Sequence, residues 1–158
     1  MRAGKNTTNA RVSRSDDYRS PREAFDLLFN YVPRDKLVWA PFYFDGVLNM
    51  PDDIKYIHSN NDFFLYEPDN FEILIDNPPY SVKQKVFDRC EQFGKPYALL
   101  VPFDTLERQY MADIMKTKDV TIIIPKKRYK FNEMSFTPAF KTIWICVGFN
   151  LGREIIHE

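Results

Sequence analysis

The chain has 158 residues, 44% of them hydrophobic and 16% aromatic, which suits one packed domain and excludes wholesale disorder. Its 22 basic and 22 acidic residues cancel to a formal net charge of +0, so a polyanionic partner can be held only by a local patch. No apolar run is long enough to span a bilayer, and MRAGKNTTNARVSR lacks the apolar core of a secretory signal; Cys90, Cys146, His58 and His157 form neither a CxxC nor a zinc spacing, so the reading is a reducing, cytoplasmic protein with no membrane contact and no metal.

Residues 1–17 carry Arg2, Lys5, Arg11 and Arg14 with almost no apolar content, and read as a flexible polar tail ahead of a single domain over 18–158. Ser20-Pro21-Arg22-Glu23 is a helix start, with Ser20 as cap, Pro21 in first position and Glu23 completing a capping box. Ala24, Phe25, Leu27, Leu28 and Tyr31 follow at helical spacing until Pro33. LVWAPFY (37–43), IKYIHS (54–59) and ILID (73–76) read as strands, rich in β-branched and aromatic residues. SVKQKVFDRCEQFG (81–94) reads as a helix closed by Gly94, with Val82, Val86, Phe87 and Cys90 on one face. YALLVPF (97–103) is the next strand and TLERQYMADIMKT (105–117) a helix capped by Thr105. VTIIIP (120–125), RYKF (128–131) and KTIWICVGF (141–149) are three further strand candidates.

Near-continuously apolar strands separated by helices predict an α/β fold with a mostly parallel sheet covered on both faces, and the late strands without helices between them predict an antiparallel hairpin at its C-terminal edge. Ligands of such sheets sit beyond the carboxyl ends of the strands. Pro41 to Gly46, Asn60 to Phe63, Asp76 to Tyr80 and Pro102 to Asp104 occupy those ends. Polar groups there stand beside aromatic rings, and the whole chain has only 5 glycines, which favours a flat, nitrogen-rich ligand over one held by a glycine-rich phosphate loop.

Asp76-Asn77-Pro78-Pro79-Tyr80, at the end of an apolar strand and before a helix, resembles the catalytic motif of amino-methyltransferases that use S-adenosylmethionine. It looks most like the adenine-N6 group, small phage-type members included. The resemblance spans about residues 18–149. It implies a Rossmann-like class I methyltransferase sheet, S-adenosylmethionine as cofactor, no metal, and direct in-line methyl transfer to the N6 amine of adenine in nucleic acid, DNA favoured over RNA. It also implies that the Asn77 side-chain oxygen and the Pro78 carbonyl each accept one amino hydrogen, which turns the nitrogen lone pair towards the methyl donor. Pro79 stiffens the loop, and Tyr80 offers a ring to a base that would have to be flipped out of a duplex. Pro21, Ala40, Pro41, Phe42, Asp45 and Gly46 then take the place of residues around the methionine end of the cofactor. Asp62-Phe63-Phe64 resembles the acidic-aromatic motif at its adenine, with Asp62 on the amino group and Phe63 against the ring. PKKRYKF and FTPAFKTIWIC resemble the late hairpin beside the target base, making Lys126, Lys127, Arg128, Lys130 and Phe131 candidate base or nucleic-acid contacts. With no separate target-recognition domain in the sequence, target choice is expected from short loops, the tail, or a second subunit such as a homodimer partner. A phage-encoded protein would work in the host cytoplasm.

The chain departs from the family in two places. Its first loop has only Gly46, crowded by Phe42, Tyr43 and Phe44. The second strand ends in His58, Ser59, Asn60 and Asn61 where an acidic residue usually meets the cofactor ribose. Two alternatives therefore stay open: a weak or inactive methyltransferase-like module or subunit, and an enzyme methylating the side-chain amide of protein glutamine, a planar NH2 with the same needs. The basic-aromatic PKKRYKF stretch favours nucleic acid, and also fits a lysine-guarded sheet edge.

Overall fold

The computed structural model describes residues 19–131 and 139–158. The tail over 1–17, and the part of the late hairpin over 132–138, lie outside the described residues. The elements run α1 (Arg22–Leu28), β1 (Val38–Trp39), β2 (Tyr56–Ile57), β3 (Ile73–Asp76), α2 (Lys83–Phe93), β4 (Tyr97–Pro102), α3 (Gln109–Thr117), β5 (Val120–Ile124), β6 (Thr142–Val147) and β7 (Ile155–His157). The strands form one sheet in the order β2-β1-β3-β4-β6-β5-β7. Neighbours pair in parallel from β2 to β4, β6 runs antiparallel to both β4 and β5, and β7 lies parallel to β5. The architecture is the α/β fold expected: a mostly parallel sheet with an antiparallel strand near its C-terminal end. Among the described residues no helix is long and apolar enough to cross a membrane.

Strand alternation sorts the core into two faces. Val38, Ile73, Ile75, Ala98, Leu100, Trp144 and Cys146 pack against Ala24, Phe25, Leu27 and Leu28 of α1. Trp39, Leu74, Leu99, Val101, Ile143 and Ile145 face Val86, Phe87 and Cys90 of α2 and Met111 and Ile114 of α3. The indole N–H of buried Trp144 donates to the Ala24 carbonyl over 2.9 Å and so pins α1 to the sheet. Trp144→Phe is expected to cost about 1–3 kcal/mol, because it removes a buried hydrogen bond as well as thinning the packing. Urea unfolding reads this as a lower midpoint at unchanged slope; an unshifted midpoint would mean that the bond contributes nothing.

Four local expectations are corrected. Ser20 does not cap α1: the cap is Pro21, extended at φ −73° and ψ 157°, with no side-chain bond to the helix start. Ser20 stands one residue too early, and its own carbonyl accepts the Asn49 side-chain N–H at 2.8 Å. Thr105 does not cap α3, because Phe103–Glu107 turn as a separate 3-10 segment and Arg108 is extended before Gln109 opens the helix. RYKF (128–131) is not a strand. Pro125 has no N–H with which to continue β5, and β6 already has β4 on one side and β5 on the other. The antiparallel pair is therefore not the outer edge; the unanticipated β7 is.

Candidate active site

Parallel pairing of β1, β2, β3 and β4 brings their carboxyl ends to one rim. β3 is buried along its length, and its last ladder partner is Asp76, opposite Leu99. Pro78 and Pro79 follow without N–H groups, so the chain must leave the ladder there. The Asp76 carboxylate, 4% exposed, holds two loops together. One oxygen accepts the Phe42 N–H at 2.7 Å and the other the Asn77 N–H at 2.7 Å. Burial pushes the Asp76 pKa up to about 7, against the pull of those two N–H groups towards the ionised form. Asn77 and Tyr80 are buried, Tyr80 edge-on to Phe140 with ring centroids 6.3 Å apart.

The first loop closes over this point. The Gly46 N–H donates to the Tyr43 carbonyl at 2.8 Å, and Gly46 takes φ +84°. A Cβ there would meet the Tyr43 hydroxyl at 2.8 Å. Gly46→Ala is expected to destabilise the fold by about 1–2 kcal/mol, from the left-handed backbone and the displaced Tyr43 ring; a thermal midpoint equal to the wild type's would reject the packing argument. Asp45 accepts from Arg19 and from the Val47 N–H. Burial pushes the Asp45 pKa up, but the Arg19 and Val47 hydrogen bonds outweigh it and hold the carboxyl below its usual range. Phe42, Tyr43 and Phe44 line a cavity of about 20 Å³ together with Asp76 and Asn77. The structure thus brings first-loop and motif candidates into one place. Pro21 flanks it through Ser20 and Arg19, which line the same cavity. Ala40 and Pro41 are buried at the end of β1. The Ala40 carbonyl lies 2.8 Å from His58 Nδ1, which must therefore carry the proton and donate.

The other candidates sit as follows. Asp62 is exposed and accepts the Phe64 N–H at 2.9 Å, closing its own turn. Phe63 is buried against Phe42 and Trp39, with centroids 5.0 and 5.5 Å away, and the ring exposed beside it is Phe64. Lys126, Lys127, Arg128 and Lys130 are exposed beyond β5. Lys127 faces Glu23 at 3.7 Å, and the Lys126 N–H donates to Glu158 at 2.8 Å. Phe131 is 0% exposed and packs in the α1-side core with Tyr129. Among the described residues no cluster of His, Cys, Asp and Glu could hold a metal ion.

Sequence reasoning missed a cleft of about 370 Å³ beside Tyr80, which joins Lys83 and Gln84 to Arg108, Gln109 and Tyr110. These segments lie more than twenty residues apart, and no motif signals their meeting.

No family model and no curated protein matches the sequence. Among solved structures, a dimethyladenosine transferase from Plasmodium falciparum is similar with a TM-score of 0.51 and 10% identity, over 82% of this chain and 62% of that one. The likeness is one of fold: the sheet belongs to the Rossmann-like type found in that transferase. This chain spans less than two thirds of the transferase's length.

Proposed function

We propose that the chain is an S-adenosylmethionine-dependent methyltransferase acting on the exocyclic N6 amine of adenine in nucleic acid, DNA ahead of RNA. The observation that carries this reading is Asn77-Pro78 at the carboxyl end of a central strand, buried and tied by Asp76 to the Phe42 loop. The structural likeness to an enzyme named for dimethyladenosine transfer adds support for adenine. An adenine amine is a poor nucleophile, because its lone pair is delocalised into the ring. Asn77 Oδ1 and the Pro78 carbonyl, each accepting one amino hydrogen, would hold the nitrogen pyramidal and its lone pair clear of the ring. Pro79 and the Asp76 hydrogen bonds fix those acceptors in advance. Exposed Lys126, Lys127, Arg128 and Lys130 add a basic edge on the same rim, and a partner subunit could complete target choice.

The donor set suits the cofactor, while the cavity that the described residues of the first loop share with the motif is narrow. Small-molecule sites occupy about 300–1,000 Å³, against about 20 Å³ here. In this reading Ala40, Pro41, Phe42, Asp45 and Gly46 meet the methionine end, with Pro21 beside them and Asp62, Phe63 and Phe64 at the adenosine. When bound, the cofactor supplies an electrophilic methyl group on its sulfonium. The same narrow cavity favours a second reading, a methyltransferase-like module without turnover.

Calorimetric titration with S-adenosylmethionine, followed by mass spectrometry of adenine-containing DNA incubated with protein and cofactor, separates the readings. Saturable binding and N6-methyladenine support the enzyme. Binding without transfer to DNA, RNA or a glutamine peptide supports the module, and methylated glutamine moves the acceptor to protein.

A further inference from the structure

A second cleft lies next to Tyr80. It lies between the 3-10 turn Tyr80–Val82 with the start of α2 on one side and the start of α3 on the other. Two cations, Lys83 and Arg108, and two side-chain amides, Gln84 and Gln109, line it, and among the described residues no carboxylate does. Arg108 is exposed and has no ion pair among the described residues. The Gln109 amide N–H is held by Asp113 at 2.9 Å, which leaves its oxygen as an acceptor. On the wall, the Tyr110 hydroxyl is buried without a hydrogen-bond partner, a donor that a ligand oxygen would satisfy. The cleft thus sets two cations beside neutral hydrogen-bonding groups, with Asp88, Asp104 and Asp113 near its Tyr110 and Gln109 side.

The volume selects the ligand. About 370 Å³ is room for one nucleotide-sized unit and too little for a duplex. Tyr80 forms one wall of the cleft and belongs to the Asn77-Pro78-Pro79-Tyr80 motif, so the unit bound there is the neighbour of the one whose base reaches Asn77. We propose that this cleft is a flanking-nucleotide subsite, in which Lys83 and Arg108 take the phosphates of a single strand and Gln84, Gln109 and Tyr110 take its sugar and base edge. The subsite deepens the nucleic-acid reading above and rests on it. It adds a grip on the strand beside the motif to that of the basic segment over 126–130.

The test is fluorescence anisotropy with a labelled adenine-rich single-stranded DNA of about 12 nucleotides, within the usual span of such sites. The proteins compared are the wild type, Lys83→Gln/Arg108→Gln, and Lys36→Gln/Lys55→Gln. The last pair removes the same charge from exposed positions at the opposite rim, before β1 and β2. The cleft variant is expected to bind about tenfold more weakly, and its slope of log K against log salt to flatten by about 1.4, at about 0.7 per lost phosphate contact. The control pair is expected to stay within about twofold. Equal affinity and slope in the cleft variant would overturn the subsite while leaving the nucleic-acid reading standing. A wild type that binds no strand, DNA or RNA, would overturn both. Circular dichroism checks that the substituted proteins are folded.

Discussion

Asn77→Ala is expected to lower methyl transfer by about 10²–10³-fold, the usual effect of deleting one preorganised hydrogen-bonding group at a reacting centre. The alanine cannot accept an amino hydrogen, so the acceptor nitrogen keeps its planar, delocalised lone pair. Cofactor affinity should change little, because the first loop and the Asp62 turn are untouched. Global stability should also hold, because the Asp76 bond to the residue-77 N–H is a backbone contact that alanine retains. Asn77→Asp, which keeps an acceptor oxygen, should retain part of the rate. Single-turnover transfer from labelled cofactor, calorimetry and thermal unfolding on the same preparations separate the effects. A variant as active as the wild type removes Asn77 from the chemistry. A variant that loses cofactor affinity and stability together makes the residue structural.

Asp76 carries the second large effect, on stability and its pH dependence. Asp76→Ala leaves the Phe42 and Asn77 N–H groups without acceptors, at about 1–3 kcal/mol each, so roughly 2–6 kcal/mol in all. It also frees the first loop from the motif, which amide exchange at Phe42 would report. The pH dependence follows from the carboxyl's folded-state pKa of about 7, raised by burial above its usual value in the unfolded chain. Between those two values the folded protein holds a proton that the unfolded chain has released. The stabilisation from this group is therefore complete below the unfolded pKa, falls as pH rises, and is lost once pH passes about 7. Urea unfolding of the wild type from pH 4 to pH 8 should show that decline, and Asp76→Asn, which cannot titrate, should flatten it. The same slope in both proteins would place the titrating group elsewhere.

Much of the fold was legible because long elements state their environment. β4 and β6 are six-residue strands buried at every position, and their apolar runs need no context to be read. α2 and α3 carry apolar residues at helical spacing with polar faces outward. Short elements are read less sharply: 37–43 and 54–59 read as strands, yet only two residues of each form β1 and β2, and the three-residue β7 was not anticipated, because such short runs are strands only where a neighbour's edge accepts them. The caps misread at Ser20 and Thr105 failed for a related reason. Capping motifs describe an isolated helix start, whereas Pro21 and Arg108 are held extended by the surrounding chain.

The sequence by itself determined the α/β class, the helices of the second face, and the Asp76-Asn77-Pro78-Pro79-Tyr80 turn, because each is written in residues adjacent along the chain. Tertiary structure alone decided what that turn meets. Asp76 reaches Phe42 across 34 residues and Asp45 reaches Arg19 across 26. Phe131 turns inward to the core, and Lys83 meets Arg108 across one cleft. These meetings follow from β1 pairing beside β3 although β2 lies between them in sequence, and from α2 and α3 sharing one face. Strand order minimises the exposed apolar area of the whole sheet, a sum over every element that no local stretch of sequence contains.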